Sequence, residues 1–105
     1  MSCLFCKIIA GEIPSTKVYE DDQVVAFKDI TPQAPLHVLV VPRTHIATLN
    51  ELTPAHDALV GAMTRAAASI AKANGYEASG YRTVFNCNKD AGQAVFHIHL
   101  HLLAG

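Results

Sequence analysis

Val95-Phe96-His97-Ile98-His99-Leu100-His101-Leu102-Leu103 alternates histidine with apolar residues near the C-terminal end of the chain. A β-strand sends successive side chains to opposite faces. The spacing therefore predicts one strand with His97, His99 and His101 on one face and Phe96, Ile98, Leu100 and Leu102 on the other. The apolar face belongs to a core. The histidine face needs a separate explanation, because imidazoles about 7 Å apart suit neither a solvated strand surface nor an unpartnered interior. Two chemistries fit. Alternate imidazoles can converge on a metal ion. Alternatively, one imidazole attacks phosphorus while its neighbours orient it and donate to phosphate oxygens. The preceding Asp90-Ala91-Gly92-Gln93-Ala94 allows close backbone approach and an anion-binding nest of N–H groups, which favours the second.

Around this strand the chain has 105 residues, of which 50% are apolar and 16% charged, with a formal net charge of −1. That suits one packed domain over residues 1–105 and excludes a disordered segment. The 8 Lys and Arg residues are scattered, so the basic footprint of a duplex nucleic-acid binder is missing. No apolar run approaches the roughly 18 residues of a spanning helix, so no membrane partner is expected. Met1-Ser2-Cys3-Leu4 lacks the features of a secretory signal, and the expectation is a cytoplasmic protein.

Working back from the histidines, the chain divides into short elements. Phe5 to Ala10 suits a short helix stopped by Gly11 and Pro14. Residues 16–20 and 24–28 are β-rich and flank Asp21-Asp22, which predicts a hairpin. Residues 36–41 read as a buried strand closed by Pro42, with His37 on the face of Leu39 and Val41. Thr53-Pro54 starts the one long helix, where Leu59, Met63, Ala66, Ala67, Ile70 and Asn74 recur at helical spacing and Gly75 serves as the left-handed cap. Residues 81–86 suggest another strand, residues 88–92 a polar loop. The class is α+β: a five-stranded antiparallel sheet with a long helix and a short N-terminal one. Open sheet edges favour pairing as a homodimer.

The three cysteines are an odd count without a secretory signal, which argues against a disulfide framework. Cys3-x-x-Cys6 points to metal or redox chemistry. Only two residues precede Cys3, too few for the strand that positions a thioredoxin-type pair. Zinc needs two further ligands from distant histidines, and from the pair alone zinc and two ordinary thiols stand as equal readings. Cys87 reads as a small buried residue.

Taken in order, these motifs resemble the histidine triad superfamily in its nucleotide-binding branch. The resemblance rests on Gly92-Gln93-Ala94-Val95-Phe96-His97-Ile98-His99-Leu100-His101 together with Phe5-Cys6-Lys7-Ile8-Ile9, Glu12-Ile13-Pro14, Tyr19-Glu20-Asp21-Asp22, Pro32-Gln33-Ala34-Pro35, His37-Val38-Leu39-Val40-Val41-Pro42 and His45. It implies a two-subunit hydrolase or transferase acting at the α-phosphate of a purine nucleotide conjugate. His99 would be the nucleophile, His101 and His37 its partners. Gly92, Gln93, Ala94 and Asn86 would line the phosphate pocket, Asp29 would accept from the ribose, and Ile9, Ile13, Ile30 and Leu39 would wall the base. The resemblance also implies structural zinc on Cys3, Cys6, His45 and His97; His56, at the exposed start of the long helix, reads as a surface residue.

Two departures bear on the leaving group. Ala94 stands where phosphoramidate-cleaving members carry serine, and the chain stops at Gly105, where those members continue into a tail. Phosphoramidate, acyl-adenylate and dinucleoside polyphosphate substrates are all open. The alternatives are a non-catalytic nucleotide-binding scaffold and a metal-dependent hydrolase with His97, His99 and His101 as ligands.

Overall fold

The structure, a computed structural model, describes residues 3–105. A short helix α1 (Leu4–Ile9) precedes strands β1 (Lys17–Glu20), β2 (Val24–Lys28) and β3 (Leu36–Pro42). The long helix α2 (Asp57–Ala73) follows, then β4 (Arg82–Phe85) and β5 (Leu100–Ala104). The five strands form one sheet in the order β1-β2-β3-β5-β4, antiparallel at every pairing. The α+β class and the element count match the expectation.

Why β3 lies in the middle follows from its sequence. Leu36-His37-Val38-Leu39-Val40-Val41-Pro42 is buried throughout, as a strand covered on both faces must be. Leu36, Val38 and Val40 join Met63, Ala66, Ala67, Ile70 and Ala71 of α2 in the larger core, with Leu100, Leu102 and Ala104 of β5. Leu39 and Val41 join Phe5 and Ile8 of α1, with Val25 and Phe27 of β2, in the smaller one. The small residues of α2 therefore pack on the chain's own sheet. Because side chains alternate, His37 shares the α1 face with Leu39 and Val41, and His101 shares it from β5.

Local signals account for the boundaries. In the β1–β2 turn, Asp21 Oδ1 accepts the N–H groups of Gln23 and Val24, both at 2.8 Å, as an Asx turn does. Those bonds, with Tyr19 OH donating to the same carboxylate, hold the Asp21 carboxyl below its ordinary pKa. The Thr53 hydroxyl caps a 3₁₀ turn (Pro54–His56) that leads into α2, and Gly75 leaves the helix at φ +86°. His56, read from sequence as a surface residue, is half-buried and closes a capping box, its Nδ1 accepting the Thr53 N–H at 3.0 Å. Cys87 is half-buried rather than buried.

The final strand departs most from expectation. Regular pairing begins at Leu100, and residues 95–99 run outside the ladder. Pairing to β3 spans Leu36↔Ala104 to Val40↔Leu100. Beyond it stands Pro42, which has no N–H to offer a ladder partner. The chain instead turns aside, and Ile98 N–H donates to the Ile46 carbonyl at 2.8 Å. Ile98, Leu100 and Leu102 still enter the large core, but Phe96 is 48% exposed and leaves the face assigned to it.

Met63 is fully buried where α2 meets the sheet. Met63→Ala should cost about 2–5 kcal/mol of stability, read as a lower urea midpoint with an unchanged m-value.

Candidate active site

Backbone groups of fixed polarity set the protonation of each imidazole on the α1 face. An N–H only donates and a carbonyl only accepts, so a ring nitrogen bonded to either has a determined role. Gln33 N–H donates to His37 Nδ1 at 3.0 Å, which places the His37 proton on Nε2. That Nε2 lies 2.9 Å from His101 Nδ1 and 3.4 Å from an Asp29 carboxylate oxygen. His37 therefore donates to His101, and His101 carries its own proton on Nε2. The two rings meet because Leu39 pairs with His101 and His37 with Leu103, which makes His37 and His101 diagonal neighbours.

His99 has the opposite polarity. Its Nδ1 lies 2.8 Å from the His97 carbonyl, so Nδ1 donates and Nε2 keeps its lone pair. Its ring is 5.0 Å from that of His101, centre to centre. The pair thus offers one nucleophilic nitrogen beside one N–H donor. Burial lowers the pKa of both imidazoles below the ordinary 6.5.

His97 points elsewhere. Fully buried, it donates from Nε2 to the Pro42 carbonyl at 2.8 Å and turns the Nδ1 lone pair toward Cys3 Sγ at 3.5 Å, Cys6 Sγ at 3.6 Å and His45 Nδ1 at 3.2 Å. Cys6 Sγ is also 3.4 Å from His45 Nδ1. A tetrahedral ion with bonds of about 2.3 Å to sulfur and about 2.05 Å to nitrogen would separate its donors by about 3.55 Å (N···S) and about 3.3 Å (N···N). The four donors fit that geometry, and together they form a group able to hold a metal. The histidines do not converge on a single ion, since His97 joins this group while His101 lies with Asp29 and His37.

A cavity of about 380 Å³ opens beside His99 and His101. Its apolar end is walled by Leu4, Phe5, Ile8, Ile13, Phe27 and Leu39, and Asp29, Asn86, Gly92 and Ala94 border it too. Ile30 lies on the same wall and is 96% exposed. Sequence reasoning named Ile9 as a wall; Phe5 and Ile8, at helical i, i+3 spacing, take that place. Ile9 packs against the smaller core instead. The Ser15 hydroxyl, on the wall and buried without a hydrogen-bond partner, carried no signal in the sequence.

Gln93 is placed by its own hydrogen bonds. It does not border the cavity. Its Oε1 accepts the Asn88 N–H at 2.8 Å, and its Nε2 donates to the carbonyls of Ala47 at 2.8 Å and Val95 at 3.1 Å. The N–H groups of Gly92 and Gln93 are likewise spent, on the carbonyls of Lys89 and Asn88. These bonds clasp the loop at its Gly92-Gln93 end. Asn88 adopts φ +64° with ψ −172°, a region that L-residues rarely occupy, and Gly92 adopts φ +81°.

The antiparallel sheet thus presents a lone-pair imidazole and an N–H imidazole to one largely apolar cavity. The family model described as "Scavenger mRNA decapping enzyme C-term binding" matches residues 2–105. The "Purine nucleoside phosphoramidase" of Escherichia coli (strain K12) is 49% identical over 102 residues, covering 97% of this chain and 86% of that protein. "Protein HitA" of Neisseria gonorrhoeae is 47% identical, covering 97% and 94%. The crystal structure of an HIT family hydrolase from Legionella pneumophila Philadelphia 1 superposes with a TM-score of 0.97 at 51% identity, covering 99% and 93%. The chain belongs to the histidine triad (HIT) family and is an enzyme of the hydrolase type found there. Among the described residues no helix is long and apolar enough to cross a membrane.

The lowered His101 pKa has a consequence for stability. The unfolded chain takes up this proton near pH 6.5 and the native protein only below it, so stability should be level above that pH and fall as the pH drops through it. Thermal melts across pH 5–8 in about half-unit steps check this, with a histidine NMR titration placing His101 below 6.5.

Proposed function

We propose that the protein hydrolyses purine nucleoside monophosphate conjugates at the α-phosphorus through a nucleotidyl adduct on His99. The observation that carries the reading is the His99 ring fixed at Nδ1 by a backbone carbonyl, with Nε2 unprotonated beside the cavity. In the first step Nε2 forms a bond to phosphorus, and the bond to the leaving group breaks with its electron pair. His101, protonated on Nε2 through the His37 relay, donates to the phosphate oxygens where charge develops. In the second step water attacks phosphorus and gives up a proton, equivalent through solvent to the one the leaving group takes up, and the His99 nitrogen leaves with its lone pair restored. Transient capture of the nucleotide on nitrogen divides one difficult displacement into two easier ones.

The remaining groups bind. Asp29 accepts from the ribose hydroxyls, Ile13, Ile30 and Leu39 hold the base, and Asn86, Gly92 and Ala94 border the phosphate, with Gln93 fixing the loop behind them. Ala94 offers no hydroxyl to a leaving nitrogen. The leaving group is a phosphoramidate amine, an acyl group or a nucleoside polyphosphate.

Cys3, Cys6, His45 and His97 would hold zinc, which with four protein donors would supply a structural cross-link and no open catalytic position. Two thiolates in that set favour the reducing cytoplasm. β1 and β4 are the outer strands of the sheet, and a second copy pairing there as a homodimer would cover an edge.

His99→Ala should lower hydrolysis of adenosine phosphoramidate and diadenosine polyphosphates on the order of 10³-fold or more. Mass spectrometry of rapidly denatured wild type should show a nucleotidyl adduct on His99. Equal background rates in both proteins would leave a nucleotide-binding scaffold as the function. Elemental analysis should find about one zinc per chain, and light scattering a dimer mass.

A further inference from the structure

His99 stands one residue before the first rung of β5, so no ladder bonds hold it. Its placement falls to side-chain contacts, and two of them lead to the same place. The first runs through His97. That ring is gripped at both nitrogens, by the Pro42 carbonyl at 2.8 Å and by the Cys3, Cys6 and His45 donors at 3.2–3.6 Å, while its own carbonyl takes the His99 Nδ1–H at 2.8 Å. The second runs through Phe5, which lies between Cys3 and Cys6. Its ring meets His99 edge-on, with centres 5.0 Å apart and planes at 88°, and it also touches His97 at 6.0 Å and Phe27 at 5.4 Å. At six residues, α1 is too short to be stable in isolation, so what anchors its two cysteines also decides where Phe5 sits.

We infer that the Cys3–Cys6–His45–His97 group, when it holds a metal, positions the His99 imidazole, with the His97 carbonyl and the Phe5 ring as its two positioning contacts. The inference rests on the proposed role of His99 as nucleophile. The donor group is then more than a staple on the fold: its occupancy fixes the tautomer and the aim of one nitrogen.

The test uses the full chain labelled with ¹⁵N-histidine, loaded with Zn²⁺ and then stripped by a chelator. Long-range ¹H–¹⁵N spectra report the tautomer of His99 without any turnover. The loaded protein should show one species, protonated on Nδ1. The stripped protein, folded by circular dichroism, should show a mixture, and its kcat should fall about tenfold or more, with a smaller change in KM. A folded, stripped protein with an unchanged tautomer and kcat would overturn the inference, as would a chain that takes up no zinc.

Should stripping unfold the chain, Phe5→Leu decides the matter, because it keeps all four donors. Retained zinc with a mixed His99 tautomer and reduced kcat supports the inference; retained zinc with both unchanged overturns it. The hydrolysis reading fails separately, through an active His99→Ala variant, and that result leaves the tautomer measurement intact.

Discussion

Everything in this molecule depends on β3 being covered on both faces. A strand buried over all seven residues has to satisfy one core with its even positions and another with its odd ones. Val38 and Val40 serve α2, and Leu39 and Val41 serve α1. That division puts His37 on the side of the short helix, and antiparallel pairing with β5 brings His101 to meet it. The larger core supplies rigidity, and the smaller one supplies the wall of a cavity. Chemistry is concentrated on the thinner side of the sheet, where six residues of helix leave room for a ligand.

Polarity within the site comes from the backbone. Three imidazoles receive their tautomers from main-chain partners: the Gln33 N–H, the His97 carbonyl and the Pro42 carbonyl. A fourth, His101, inherits its own from His37. These main-chain partners fix which nitrogen of each ring carries the proton, so a lone pair on His99 and an N–H on His101 stand side by side. Burial reinforces this by disfavouring the imidazolium, which would erase the difference between the two rings.

Much of this was legible in residue order. The apolar run closed by Pro42 located β3, the Thr53-Pro54 start and the Gly75 stop bounded the long helix, and Asp21-Asp22 marked the hairpin. The donors Cys3, Cys6, His45 and His97, drawn from three distant segments, came from the family resemblance, and the structure brings them within 4.8 Å of one another. What strand periodicity got wrong is Phe96 and the uniform histidine face. A period of two applies only where a ladder continues, and here it stops at Leu100. The clasp that Gln93 forms with Asn88, Ala47 and Val95 had no signal in residue order, because it joins a loop amide to a carbonyl of another segment. The capping role of His56 had no signal of its own, because a histidine three residues after Thr53 is not the usual Glu or Gln of a capping box.

The sequence by itself determined the class of the fold, the burial of β3, the boundaries of the long helix and the residue types available for chemistry, because these follow from local periodicity and backbone preference. Tertiary structure supplied the contacts behind the division of the histidines that the resemblance implies: His97 toward the cysteines, His99 beside the cavity, His101 onto His37. Those directions depend on where Pro42 ends a ladder and which carbonyl each ring nitrogen meets. Such contacts join residues far apart in the chain, and no pattern of neighbours encodes them.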